Sequence, residues 1–336
     1  MIENSYIIFI IFLILVNLIF LNNSKSIGKL INIYDLPTEK RKIHKTPIPI
    51  LGGLIIFMNI LFFIIFGFFN HSGYLFEVFI STELKGLIYF LIGISAIFFI
   101  GLYDDKYNIR PFVRLILLSI LIYSLIKTDN NLLIQSLEFS FTNLTIDFNL
   151  GKVLLSYLCI ITLLISCNMS DGINLQSSIF YFLNFLVLYF LSPNDFILLI
   201  LFAILIFSVL NFNGRIFLGD SGSYLLSILL SFYFIKYYNF NIIPKADQIF
   251  LFLFFPVLDA SRCFYSRLIK GNSIFLPDNN HFHHILLNKI GYKKTVITLS
   301  CFYFTPFIGY LFNLSTIYVL TSIIIIYFFF LYKFKS

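Results

Sequence analysis

The chain has 336 residues, of which 59% are hydrophobic and only 12% charged, with 45 Phe and no Trp. That composition excludes the two-domain soluble enzyme its length alone would suggest, and continuous apolar runs, rather than alternating ten-residue segments, exclude a membrane β-barrel. The formal charge of +7 does not call for nucleic acid, because the basic residues sit in loops beside apolar runs, where orientation and anionic lipid headgroups account for them.

In chain order, the apolar runs predict eleven spanning helices: about 5–21, 48–69, 86–102, 112–127, 152–167, 176–191, 195–211, 222–236, 248–265, 296–311 and 315–332. The fold expected is an all-α polytopic membrane protein, one integral-membrane catalytic domain over residues 1–336. The first run has Glu3 ahead of it, no basic n-region and no small-x-small cleavage site, so it reads as a retained span. Pro193-Asn194-Asp195 splits one long run in two. Residues 137–149 alternate apolar and polar around Thr142-Asn143, which predicts a two-stranded hairpin. Cys159, Cys167, Cys263 and Cys301 lie in or beside spans without CxxC spacing, and read as packing residues rather than disulfide or zinc ligands.

With the N-terminus outside, the inside loops are 22–47, 103–111, 168–175, 212–221, 266–295 and the C-terminal tail. Lys and Arg number 18 in and beside those loops, against 5 on the other face (Lys85, Lys127, Lys152, Lys236 and Lys245). The positive-inside rule then puts the N-terminus outside and the C-terminus on the cytoplasmic side.

Four short polar islands fall on that cytoplasmic face, where they can contribute to a single site. Asp104-Asp105 ends a span with two adjacent carboxylates, which are favourable together only beside a cation, whether Mg²⁺ or a basic group such as Arg110 or Arg114; a solvated loop with ordinary ion pairs is the alternative. Asn168-x-x-Asp171-Gly172-x-Asn174 offers hard oxygen donors and a glycine that permits a sharp turn, although an Asx-type turn between spans would look the same. Arg215-Ile216-Phe217-Leu218-Gly219-Asp220-Ser221-Gly222-Ser223 combines a counter-charge, a carboxylate and a helix start whose N–H groups favour an anion. It lacks the Lys-Ser/Thr ending of a P-loop, and small-residue helix packing is its alternative. His281-x-His283-His284 has no cysteine nearby in sequence to complete a zinc set, so imidazoles contacting phosphate are favoured. Upstream, Arg41-Lys42-Ile43-His44 lies in a basic loop that runs into Pro47-x-Pro49-x-x-Gly52-Gly53; that basic run is explained equally by topology.

In this order the islands resemble the polyprenyl-phosphate N-acetylhexosamine-1-phosphate transferase family, over roughly residues 35–290. The resemblance includes the Asp35-x-Pro37 loop with its Arg-Lys-x-His run, Asp104-Asp105, Asn168-x-x-Asp171-Gly172-x-Asn174, Phe217-x-Gly219-Asp220-x-Gly222-Ser223, Pro256-x-x-Asp259 and His281-x-His283-His284. The Ser273 to His284 loop and the eleven spans are similar to the sugar-nucleotide branch rather than the MurNAc-pentapeptide branch. One departure stands out: many relatives continue Asp-Gly-x-Asp/Asn with Gly-Leu, where this chain has Leu175-Gln176.

The resemblance implies transfer of a sugar 1-phosphate from a UDP-sugar to undecaprenyl phosphate, releasing UMP. It implies Mg²⁺, with Mn²⁺ as a substitute, held by Asp220 with Asn168 or Asp171. Asp104, Asp105, Asp171 and Asp220 are its catalytic candidates, with the Asp104-Asp105 pair positioning acceptor or metal rather than acting as a strong base. Lys42, His44, Arg114, Asn174, Arg215, His281, His283 and His284 are its candidates for substrate contacts. The partners expected are the lipid acceptor, the nucleotide-sugar donor and membrane lipids, with no nucleic acid; a homodimer is left open. The rival from another class is a transporter of nucleotide sugars or other phosphorylated solutes, which would place its ionisable groups near the bilayer midplane rather than at span ends.

Overall fold

The structure is a computed structural model that describes residues 2–37, 44, 46–70, 75, 77–79, 84–142, 144–273 and 279–335. Its described helices are α1 (Ile2–Ile31), α2 (Gly52–Asn70), α3 (Leu84–Tyr107), α4 (Pro111–Thr128), α5 (Lys152–Met169), α6 (Gln176–Leu191), α7 (Asp195–Phe212), α8 (Gly219–Asn239), α9 (Ala246–Ile269), α10 (Phe282–Leu311) and α11 (Thr316–Lys335). Two two-stranded sheets join them, β1 (Tyr34–Asp35) with β2 (Ile48–Pro49) and β3 (Ser136–Glu138) with β4 (Thr145–Asp147), both antiparallel. The hairpin expected over 137–149 therefore forms, with Leu137 opposite Ile146.

Among the described residues, eight helices are long and apolar enough to cross a membrane: α2, α3, α4, α5, α7 and α9 together with Ile7–Ile31 of α1 and Thr316–Phe334 of α11. The chain is a multi-pass helical membrane protein. Continuous apolar sequence produces these helices because, in lipid, a helix is what satisfies each backbone group within its own segment. Helix α6 is apolar but shorter, at 16 residues. Helices α8 and α10 carry the polar Gly219–Ser223 and His283–His284 stretches at their starts, and α10 is broken by non-helical backbone at Gly291.

Helix ends differ from those expected. Helix α1 continues to Ile31 through a kink at Asn23, so part of the first inside loop is helical. Asn194, expected in a turn, caps α7 by accepting from Phe196 N at 2.9 Å. Pro111 opens α4, where its missing N–H costs nothing.

The described chain divides into two compact units. Unit 1 comprises residues 1–129 and 188–226, and unit 2 comprises 130–187 and 227–336. In unit 1, α2 packs on α7 and on α1, and α3 packs on α4. Asn17 of α1 and Asn59 of α2, both buried, exchange side-chain hydrogen bonds of 2.8 and 3.1 Å and so satisfy each other inside the apolar layer. In unit 2, α5 packs on α9, and α9, α10 and α11 pack on one another. Asp247 at the start of α9 accepts from Ser140 N at 2.8 Å and from the Thr316 hydroxyl at the start of α11, tying hairpin and helix together.

Candidate active site

In unit 1, Gly53 and Gly101 let backbone segments meet. A Cβ on Gly101 of α3 would lie 2.4 Å from Ser221 Cα, and one on Gly53 of α2 would lie 2.4 Å from Gly222 N. Between them the 214–218 loop is fixed to the entry of α2: Phe217 N donates to Pro49 O at 3.0 Å, and Gly52 N donates to Phe217 O at 2.9 Å. The non-helical backbone of this loop is thereby satisfied by protein.

Gly219 has φ +78°, and this left-handed step turns the chain into α8. Asp105, in the last turn of α3, then accepts from Asp220 N at 2.7 Å, Ser221 N at 3.1 Å and Ser221 Oγ at 2.7 Å. The helix start expected to hold a substrate anion holds the chain's own carboxylate instead. Asp104 is buried and accepts from Ile109 N at 2.7 Å and Arg114 Nη1 at 2.6 Å. The same Arg114 nitrogen donates to Asp220 Oδ2 at 2.9 Å, and the Tyr224 hydroxyl reaches that oxygen at 3.5 Å. Two carboxylates, Asp104 and Asp220, thus share one guanidinium, with Asp105 holding the helix start beside them, an arrangement rich in hard oxygen and in negative charge.

Of the other expected contacts in this unit, His44 lies 3.2 Å from Asp35 O, with its ring edge against Phe217. Arg215 is exposed at the start of the loop. Lys42 lies outside the described residues.

In unit 2, Asn168 sits in the last turn of α5, Asp171 Oδ1 accepts from Ser177 Oγ at 2.7 Å, and Asn174 O accepts from the Tyr292 hydroxyl at 3.3 Å. Leu175 has φ +68°, the left-handed region that costs an L-residue about 1–2 kcal/mol. This is the position at which the family pattern has glycine, and the backbone supplies the reason. Leu175→Gly is therefore expected to stabilise the protein by up to about 1 kcal/mol after the glycine entropy cost, read as a higher unfolding midpoint in detergent.

The three histidines have different surroundings. His281 Nδ1 lies 2.9 Å from Asp259 Oδ2. Asp259 also accepts from Arg262 Nη2 at 2.8 Å, the Tyr327 hydroxyl at 2.7 Å and Phe282 N at 3.1 Å. His283 is buried, and that burial, with His284 and His281 close by, pushes its imidazole well below the ordinary histidine range, so it is neutral. His284 is half-buried against His283.

The fold brings Cys263 within 3.5 Å of His281 Nδ1, a proximity that their separation of 18 positions conceals in the sequence. Asp259, Cys263 and His281 offer ligand atoms within 4.8 Å of one another. Yet Arg262 Nη2 lies 3.3 Å from the sulfur and also bonds Asp259, so a dication there would meet a fixed positive charge. Ser221, Tyr224, Arg262 and Tyr327 were not singled out from sequence. Tyr224 stands four residues after Asp220 and Arg262 three after Asp259, spacings that put each pair on one helix face.

Glycosyl transferase family 4 matches residues 87–238, a stretch that contains every acidic residue of the unit 1 cluster together with Asn168, Asp171 and Asn174. Over this stretch the chain is similar to that family. The chain is also similar to a probable undecaprenyl-phosphate N-acetylglucosaminyl 1-phosphate transferase of Bacillus subtilis (strain 168), at 26% identity over 87% of this chain and 79% of that protein. An undecaprenyl-phosphate alpha-N-acetylglucosaminyl 1-phosphate transferase of Salmonella typhi is 25% identical over 80% of this chain and 73% of its own length. One of the same name from Thermotoga maritima is 34% identical, over 29% of this chain and 34% of its own. The resemblance read from the motifs holds, and the transporter reading finds no counterpart among these proteins.

Proposed function

We propose that the chain transfers an N-acetylhexosamine 1-phosphate from a UDP-sugar to undecaprenyl phosphate, releasing UMP, as the initiating step of a cell-surface polysaccharide. The observation that carries this reading is the Asp104–Arg114–Asp220 cluster at the end of α3, a candidate span. Polar catalytic groups at a span end suit a reaction between a lipid-borne phosphate and a soluble nucleotide. The finer topology belongs to the same proposal: eleven crossings of the bacterial inner membrane, a periplasmic N-terminus and chemistry at the cytoplasmic face, supported by the distribution of Lys and Arg.

An oxygen of the acceptor phosphate attacks the sugar-bearing phosphorus, and the bond from that phosphorus to UMP breaks. The sugar C–O bond is untouched, so the anomeric configuration is retained. A phosphate monoester with a second pKa of about 6 is already largely dianionic near neutrality, so positioning and charge stabilisation are the larger demands.

The donor set fits Mg²⁺, which binds through one or two carboxylates plus substrate phosphates. When bound, Mg²⁺ or Mn²⁺ would supply neutralisation of the phosphoryl oxygens. Asp220 is the leading ligand, because the Asp105 oxygens already accept three hydrogen bonds and those of Asp104 are engaged by Ile109 N and Arg114. Asp105 acts by holding the start of α8 and hence Asp220, and Arg114 fixes the direction of the Asp220 carboxylate. Asn168 and Asp171 are the oxygen donors proposed on unit 2. Arg215, His44, Lys42, Asn174 and His284 remain the proposed substrate contacts.

Purified protein with undecaprenyl phosphate, Mg²⁺ and a panel of UDP-linked GlcNAc, GalNAc, FucNAc and QuiNAc is expected to yield UMP and a lipid-linked sugar phosphate in equal amounts. Movement of UDP-sugar into liposomes without UMP formation would reverse the reading.

A further inference from the structure

Gln176, the first residue of α6, is 2% exposed and sits in the position where the family pattern has an apolar residue. Its Nε2 lies 3.4 Å from His283 Nδ1 and 3.4 Å from the Tyr303 hydroxyl. An amide nitrogen carries hydrogens and offers no lone pair, so His283 Nδ1 must be the acceptor. A neutral imidazole that accepts at Nδ1 carries its hydrogen at Nε2.

That Nε2 is buried and has no hydrogen-bond partner among the described residues, and the same is true of Gln176 Oε1. A buried donor without a partner is costly and calls for an explanation. What lies beside it is Gly172: a Cβ there would stand 1.9 Å from His283 Nε2. The imidazole fills the space that any other residue in the turn would occupy. A neutral N–H suits an uncharged acceptor, because phosphoryl oxygens favour charged donors.

We propose that Gln176 is a positioning residue that holds His283 in its Nε2–H tautomer, presenting that hydrogen beside Gly172 to an uncharged oxygen of the sugar donor. The oxygen is a hydroxyl or amide carbonyl of the sugar, not a phosphate. The identity of the donor rests on the proposed transferase reading; the tautomer does not.

The test uses the full-length protein in detergent with ring-¹⁵N histidine, and correlation spectra that distinguish the two neutral tautomers. His283→Gln serves only to identify the His283 signal. The wild type is expected to show a neutral imidazole protonated at Nε2. In Gln176→Glu the carboxylate accepts from Nδ1–H, so the tautomer switches, and Gln176→Leu gives no single tautomer. A wild-type imidazole protonated at Nδ1, or a wild-type spectrum in both variants, overturns the proposal.

Adding UDP-GlcNAc should move the Nε2–H signal, while UMP alone should leave it in place; an equal shift with UMP overturns the assignment to the sugar. In turnover, loss of one neutral hydrogen bond in Gln176→Leu should raise KM for the UDP-sugar about tenfold, with a smaller change in kcat. If the wild type releases no UMP from any UDP-sugar, the transferase reading fails, and the tautomer is still decided by the ligand-free spectra.

Discussion

Asp220→Asn is expected to lower kcat on the order of a hundred- to a thousandfold, the scale associated with removing one preorganised electrostatic contact to the reacting group. The substitution keeps the shape of the side chain and an oxygen facing Arg114, but removes the charge that a divalent cation requires. Arg114 keeps Asp104 as a partner at 2.6 Å, so the fold should be nearly unaffected. Asp105→Asn should behave differently. Its carboxylate accepts from two backbone N–H groups and a hydroxyl at the start of α8, and an amide nitrogen turned toward those donors leaves at least one buried donor unpaired. That variant should lose about 1–3 kcal/mol of stability together with activity. UMP release under saturating donor and acceptor, set beside unfolding midpoints in detergent, separates the roles. Asp220→Asn retaining more than about a tenth of wild-type kcat would remove Asp220 from the centre of the reaction.

The helices were legible because lipid leaves a continuous apolar run little choice of structure: all eleven expected segments lie wholly or largely within described helices. Their ends were less legible, since polar residues such as Asn22-Asn23 and His283-His284 continue a helix that hydropathy alone would terminate. The acidic islands were visible as scarce carboxylates in a greasy chain, but their partners were not. Sequence spacing cannot reveal that Asp105 and Ser221, separated by 116 positions, share hydrogen bonds. Nor does it show that Gly53 and Gly101 serve close backbone approach to the start of α8. The histidine motif read as one phosphate-binding cluster. In the fold, His281 faces Asp259, His283 is buried and neutral, and His284 is half-buried. Alternation along the chain decides this, because successive residues at a helix start point in different directions.

Asp259→Asn should destabilise the protein by about 3–5 kcal/mol, the cost of leaving a buried charge without its partner. Asp259 is 4% exposed, and Arg262, His281, Tyr327 and the Phe282 N–H all donate to it. Arg262 also donates to Asn280 O and to the Tyr327 hydroxyl, so this one carboxylate orients both the chain entering α10 and the facing helix α11. Removing its charge strands the guanidinium, whereas Asp259→Asn with Arg262→Gln removes both charges and should recover a good part of the loss. The same series tests whether Asp259, Cys263 and His281 hold a metal. With a metal, Cys263→Ser would cost nearly as much as Asp259→Asn, and a chelator would lower the wild-type unfolding midpoint. The geometry favours the ion-pair network, because Arg262 already occupies the side of Asp259 nearest the sulfur. Cys263→Ser is therefore expected to cost only about 1 kcal/mol, as a nearly isosteric change whose hydroxyl can bond His281, with the midpoint indifferent to chelators.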